Sequence, residues 1–240
     1  AFPYQRLVEE NKKRGRDHRE FELGDTGVVD GGRYFDVFVT YAKADTDDVL
    51  IEVTAHNRGP DPAPLHVLPQ LWFRNTWAWG RRGEGYWPRG VIGPDGDRRV
   101  VAEGADLPAM ALELDEVEGV AEKLLATENE TNTRRLFGSG DPLTFVKDAF
   151  HEYVCKGNTV AVNPMQTGSK VAWHVVLDVP AGGSARVRLR LRPAAQKEKP
   201  FGRAFDAVLA ARRSEADAFY AELLGTVDQA LARARRALGG

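Results

Sequence analysis

The sequence predicts a mainly β chain, an antiparallel sandwich followed by a C-terminal helical segment. Three observations carry this. Apolar and polar residues alternate over several short runs before about residue 193. Turn-forming clusters separate those runs, among them Asn57-Arg-Gly-Pro-Asp-Pro, Gly93-Pro-Asp-Gly-Asp and Pro180-Ala-Gly-Gly. Beyond Pro200 the apolar period lengthens from that of a strand to that of a helix. Many short strands between frequent turns build sandwiches, because each strand has one face to hide.

Taken in order, residues 1–24 are charged and irregular, a short helix or an extended surface arm. Arg33–Tyr41 places Phe35, Val37, Val39 and Tyr41 on one face, with Tyr34 and Phe38 on the other, a strand with both faces available for cover. Val49–His56 alternates again. Leu65–Arg74 is extended, and Pro69 demands an edge position or a bulge there. Short strands follow at Arg99–Ala102 and Met110–Leu114, and Gly119–Thr127 reads as strand or helix. Glu128–Asp148 is polar and loop-like, and Tyr153–Val162 reads as a strand. Lys170–Val179 is the clearest strand and makes a hairpin with Ser184–Arg192. On that second arm Arg186, Arg188, Arg190 and Arg192 form a row that can serve as a docking surface but reads first as a solvated face. Arg203–Leu224 is a helix through Phe205, Val208, Leu209, Ala216, Phe219 and Leu223; Gly225 ends it, and Thr226 can cap a second helix to about Leu238.

Composition excludes several classes. The chain has 240 residues, 42% hydrophobic and 28% charged, which is ordinary for one large globular domain. Its 33 Lys and Arg against 35 Asp and Glu leave a net charge of −2, so no field gathers polyanions, and a nucleic-acid partner is not expected. No apolar run approaches the ~20 residues of a membrane span, and no signal peptide is visible. The single cysteine, Cys155, excludes an intrachain disulfide and is expected as a buried, inert thiol. The opening Ala1-Phe-Pro-Tyr points to a processed or excised piece.

The stretch Leu65–Val91, LHVLPQLWFRNTWAWGRRGEGYWPRGV, stands out. It holds four of the five tryptophans (Trp72, Trp77, Trp79, Trp87) among Arg74, Arg81, Arg82 and Arg89. Indoles and guanidiniums at this density suit a stacking surface for sugars, whose C–H faces lie on rings and whose hydroxyls take hydrogen bonds. Equally, Leu65–Phe73 can be a core strand and the later indoles a wedge holding a loop on the sheet.

No nucleophile elbow, paired-histidine zinc motif, CxxC or phosphate loop occurs. The histidines His18, His56, His66, His151 and His174 are scattered singly, so no metal or other cofactor is expected. Glu128, Glu130, Asp141 and Asp148 share one polar segment, where cap and turn roles weigh against a glycosidase pair. Asn129-Glu-Thr131 fits a glycosylation acceptor but has no secretion signal to support it.

The strings FPYQRLVEENKKRGRD, FELGDTGVVDGGRYFDVFVTYAKAD, VTAHNRGPDPAPLHVLPQLWFRNTWAWG, ENETNTRRLFG, TFVKDAFHEYV and AVNPMQTGSKVAWHVVLDVPAGGSA resemble consecutive segments of large bacterial glucosidases similar to glycoside hydrolase family 63, the processing α-glucosidases. The resemblance covers residues 2–224. It implies a super-sandwich of the galactose-mutarotase-like type at residues 1–200, linker helices at 201–240, and an (α/α)6 catalytic barrel, absent here, that holds the acid and base. No catalytic residue carries over. Members of the group carry further sequence before the FPY segment. The most distinctive matched run implies that Arg74, Asn75, Trp77 and Trp79, with Trp87 beside them, help shape a substrate pocket or pack between domains. The implied parent is a cytoplasmic α-glucosidase-type hydrolase, with a glucoside or oligosaccharide as ligand and no membrane partner. The chain alone is expected to be non-catalytic and to expose an apolar interdomain face around the helix and the tryptophan loop, open to homodimerisation. Two alternatives are an autonomous carbohydrate-binding module and an aldose-epimerase-like sandwich using His56, His66 or His174 with Glu52 or Glu113.

Overall fold

Lys170–Val179 folds as the strand its alternation dictates, burying Val171, Trp173, Val175, Leu177 and Val179. The computed structural model describes residues 2–83, 85–104, 107–117, 120–140 and 145–224. In chain order its elements are α1 (Tyr4–Lys12), β1 (Phe35–Asp45), β2 (Asp48–Asn57), β3 (Ala63–Val67), β4 (Gln70–Trp72), β5 (Val91–Pro94), β6 (Arg99–Gly104), β7 (Leu107–Leu114), β8 (Ala121–Thr127), α2 (Thr133–Phe137), α3 (Ala149–Lys156), β9 (Lys170–Val179), β10 (Ser184–Pro193) and α4 (Arg203–Leu224).

The chain is mainly β, two antiparallel sheets packed face to face with a C-terminal helix. One sheet has the order β1-β2-β10-β7-β6-β5. In the other, β9 carries β8 along one side and β3 then β4 end to end along the other. Pro69 sits at the β3–β4 break on this outer edge, where its missing N–H costs nothing and its carbonyl still accepts from the Trp173 N–H at 3.1 Å. Between the sheets Val53, Ile92, Val100, Leu112, Leu124, Trp173, Val175, Val187 and Leu189 form the main core. Two smaller clusters lie outside: α3 sets Ala149 and Phe150 on Leu125 and Ala172, and α4 sets Phe205 and Leu209 on Ala42 and Leu50.

Several expectations are corrected. β9 and β10 are not a hairpin: Pro180–Gly183 carries the chain from one sheet to the other, so both strands present valines to the same core. Alternation reveals a strand's faces but not its neighbour. The arginine row is not simply solvated. Arg188 pairs with Glu52 at 2.9 Å and Asp206 at 2.6 Å, Arg190 with Asp48 at 2.6 Å, and Arg192 with Glu113 at 2.7 Å, under the 193–206 segment; Arg186 stays exposed. The arginines thus dock the chain's own tail.

Tyr153 belongs to helix α3 because Ala149, Phe150 and Tyr153 recur at helical spacing, and Gly157 ends it in a left-handed conformation (φ 67°). Cys155, on that helix, is exposed rather than buried. Trp72 lies exposed on the edge strand β4, and the buried indole is that of Trp173. Val37, Val39 and Tyr41 of β1, on the inter-sheet face, are exposed beyond the narrower second sheet, and Phe38, on the opposite face, is exposed as well. The second helix expected from Thr226 to Leu238 lies outside the described residues, as does Asp141.

Candidate functional site

The tryptophan loop is anchored through Phe73. Its ring lies where side chains on Gly90 and Gly104 would stand: a Cβ on either would come within 2.5 and 2.8 Å of it, so only glycine permits the approach. Its backbone N–H donates to the Ser169 carbonyl at 3.0 Å, continuing the β4 edge. From there the chain enters a 3-10 turn at Trp77–Trp79, closed by Gly80 in a left-handed conformation (φ 65°). The hydroxyl of buried Thr76 accepts from the Trp87 N–H at 3.1 Å and ties the two ends of the loop together.

A second segment, Glu128–Glu130, holds the loop from below. Trp77 Nε1 donates to Glu130 Oε1 at 2.5 Å, and Asn75 Nδ2 donates to Glu130 Oε2 at 2.9 Å and to the Asn129 carbonyl at 2.7 Å. Asn129 Nδ2 donates to the Phe73 carbonyl at 2.9 Å. Glu128 accepts from the Ser169 hydroxyl and lies 3.6 Å from Arg89. The carboxylates of this segment are therefore engaged as braces, and Asn129 of the glycosylation pattern points inward. Asp148 likewise pairs with Arg135 at 3.0 Å and accepts from Asn132 at 3.1 Å.

Above these braces Phe73, Arg74, Trp77, Trp87, Pro88, Gly104 and Leu107 line a hollow of ≈140 Å3. The Arg74 guanidinium lies 5.5 Å over the Trp79 ring, which meets Tyr86 edge-on at 5.8 Å. Arg89 stands 6.0 Å over Trp77. Trp79 and Trp87 remain 53% and 42% exposed, so indole surface faces solvent. Such a surface can stack an apolar ring face and offer a cation at its rim.

Of the residues singled out from sequence, Arg74, Trp77 and Trp87 meet at the hollow. Trp79 stands beside it on Arg74, and Asn75 points away as a brace. Phe73, Pro88, Gly104 and Leu107 were not foreseen as lining the hollow. Gly104 ends β6 and Leu107 opens β7, and no local signal ties those strand ends to the loop. Glu130 was visible only as one polar residue among many.

The histidines meet differently. His66 of β3 and His174 of β9 lie diagonally on the outer sheet face, with Nδ1 and Nε2 2.8 Å apart and rings stacked at 5.1 Å. Burial, then His66, then the Lys123 ammonium hold the His174 pKa below its usual value. Glu52 is taken by Arg188 and Glu113 by Arg192, so among the described residues neither is hydrogen-bonded to His56, His66 or His174. No group of three or more metal-ligating side chains occurs among the described residues, and no helix there is long and apolar enough to cross a membrane.

No family model matches the chain. It is 33% identical over 268 aligned residues to the uncharacterized protein YMR196W of Saccharomyces cerevisiae, a match covering 92% of this chain and 24% of the yeast protein. The chain thus spans about a quarter of the length of that relative.

Proposed function

We propose that this chain is the non-catalytic β-sandwich portion of a longer glucosidase-like glycoside hydrolase similar to glycoside hydrolase family 63, and that its tryptophan loop forms a sugar-facing wall. The hollow carries the reading. Phe73 and Leu107 supply an apolar floor, Trp77 and Trp87 supply indole faces, and Arg74 supplies a charged donor at the rim. At ≈140 Å3 it falls below the ~300 Å3 at which self-sufficient ligand pockets begin, which suits one wall of a site completed by a second body. An (α/α)6 catalytic domain of the same polypeptide is that body in this reading, and the length of the yeast relative leaves room for one. The parent is a cytoplasmic enzyme here; an exposed free thiol at Cys155 is at home in a reducing compartment.

The exposed faces of Trp79 and Trp87 favour a second reading, an autonomous carbohydrate-binding module. Titration of the purified chain with glucose and malto-oligosaccharides, followed by tryptophan fluorescence, tests both. Millimolar binding that is lost in Trp87→Ala and Arg74→Ala is expected, together with no hydrolysis of aryl α-glucosides. Turnover would overturn the non-catalytic assignment, a flat titration of the chain alone would overturn the autonomous module, and a titration that stays flat with the remainder of the polypeptide present would overturn the sugar-facing wall. Affinity that rises when the remainder of the polypeptide is present separates the wall from the autonomous module.

A further inference from the structure

β1 runs 11 residues along the free edge of the six-stranded sheet, with β2 as its strand neighbour among the described residues. At its centre Val37, Phe38, Val39 and Tyr41 are 51, 55, 49 and 68% exposed. Phe38 lies on the same sheet face as Thr54, while Val37, Val39 and Tyr41 lie on the face of Ala55, Val53 and Ile51. Both faces of one exposed edge are therefore apolar. Edge strands are normally guarded by proline, lysine, a bulge or short length. Here the charges Asp36, Lys43 and Asp45, and the register shift between Lys43 and Asp45, sit toward the ends, and the middle has no guard. The opposite edge, β5, is guarded: it has 4 residues and includes Gly93 and Pro94.

We propose that β1 pairs antiparallel with β1 of a second copy of this chain, joining two six-stranded sheets about a two-fold axis at Thr40. An axis perpendicular to the sheet keeps each face on its own side, so facing residues must share parity. Centred on Thr40, Val39 faces the partner's Tyr41, Phe38 faces the partner's Ala42, and Asp36 faces the partner's Ala44. No charged side chain then faces another. A partner strand must present apolar residues on both faces over this length, and β1 itself is such a strand. The net charge of −2 gives two copies little to repel. A two-fold contact uses each β1 edge once and closes, leaving the guarded β5 strands at the ends of the joined sheet. Helix α4 runs the same way: Asp206 binds Arg188 of β10, Leu209 already packs on Ala42 of β1, and Phe219, 59% exposed, lies further along. This surface is independent of the tryptophan loop, so its test does not depend on sugar binding.

Sedimentation velocity of the 240-residue chain from about 1 to 100 µM tests the pairing. The expected species has twice the 26.5 kDa chain mass at the upper end. Val39→Lys/Tyr41→Lys is expected to weaken association about 100-fold or more, while circular dichroism and the unfolding midpoint at a concentration where both chains are monomeric stay unchanged. Thr40→Cys in a Cys155→Ser background is expected to oxidise to a covalent dimer, because that residue alone faces its own copy. Trp87→Ala should remain dimeric. A chain that stays monomeric throughout assigns the edge to another segment or partner and overturns the proposal. So does a dimer that survives the lysine pair, or a Thr40→Cys chain that fails to cross-link.

Discussion

Arg192 holds Glu113 through two hydrogen bonds, 2.7 Å from Nε and 3.2 Å from Nη2, with 2% of the arginine exposed. Glu113 also lies directly across from Arg190 on β10 and Arg99 on β6, with Arg99 Nε at 3.5 Å. One carboxylate thus anchors the centre of a guanidinium cluster, and Arg192 uses Nη2 to bind the Glu198 carbonyl at 2.5 Å. The segment leading to α4 is tied to the sheet at that point.

Removing one member of a buried pair leaves an uncompensated charge, which costs about 3–5 kcal/mol. Arg192→Leu is expected to lose that much in urea unfolding. Glu113→Leu is expected to lose about as much, since it leaves the buried Arg192 guanidinium without its carboxylate, while Arg99 keeps Asp95 and the Ala194 carbonyl as partners. The double variant Glu113→Leu/Arg192→Leu should fall well short of the sum of the two losses. Strict additivity would show that the pair is not coupled.

The close approach of Phe73 to Gly90 and Gly104 predicts that a single methyl group is resisted. Gly90→Ala is expected to cost about 1–3 kcal/mol through overpacking and to change tryptophan emission as the loop lifts. Adding Phe73→Leu, which shortens the obstructing ring, should restore part of the loss. A Gly90→Ala chain with unaltered stability and emission would contradict this anchoring.

Trp77→Phe keeps an aromatic ring but leaves Glu130 Oε1 without its indole donor. The bond is to a charged acceptor in a half-buried place, so a loss of about 1–3 kcal/mol is expected from thermal or urea unfolding. Trp79→Phe, whose ring rests on Arg74 near the surface, should cost clearly less. Equal losses would argue against the brace.

The His174 pKa is held below its usual value of about 6.5 by burial, His66 and Lys123, while Tyr153 meets its ring edge-on at 6.0 Å. A depressed folded pKa means the unfolded chain binds the proton first. Stability from this group is therefore complete above about pH 6.5 and declines as pH falls through the folded value. Unfolding midpoints across that acidic window should drop less steeply in His174→Gln than in the parent chain. An identical slope would refute the assignment.

Much of the fold was legible in the sequence. Period-two alternation marked the β2, β9 and β10 runs, and the change of period at Pro200 marked α4, because burial on one face is written residue by residue. Pro69 announced its edge position through the donor it lacks. Two misreadings have separate causes. Tyr153–Val162 was too short a run to separate strand from helix, and the β9–β10 link looked like a hairpin because a turn does not say which sheet the next strand joins.

By itself, then, the sequence determined which residues alternate, where the chain turns, and that indoles and guanidiniums crowd one loop. Only the tertiary structure decided that Arg192 is buried against Glu113 while Tyr41 is left bare, and that Phe73 lies between Gly90 and Gly104 beneath the tryptophans. The reason is physical: side-chain direction follows from local backbone geometry, whereas cover, charge partners and close approach depend on strands distant in sequence. Those neighbours are set by packing the whole chain at once.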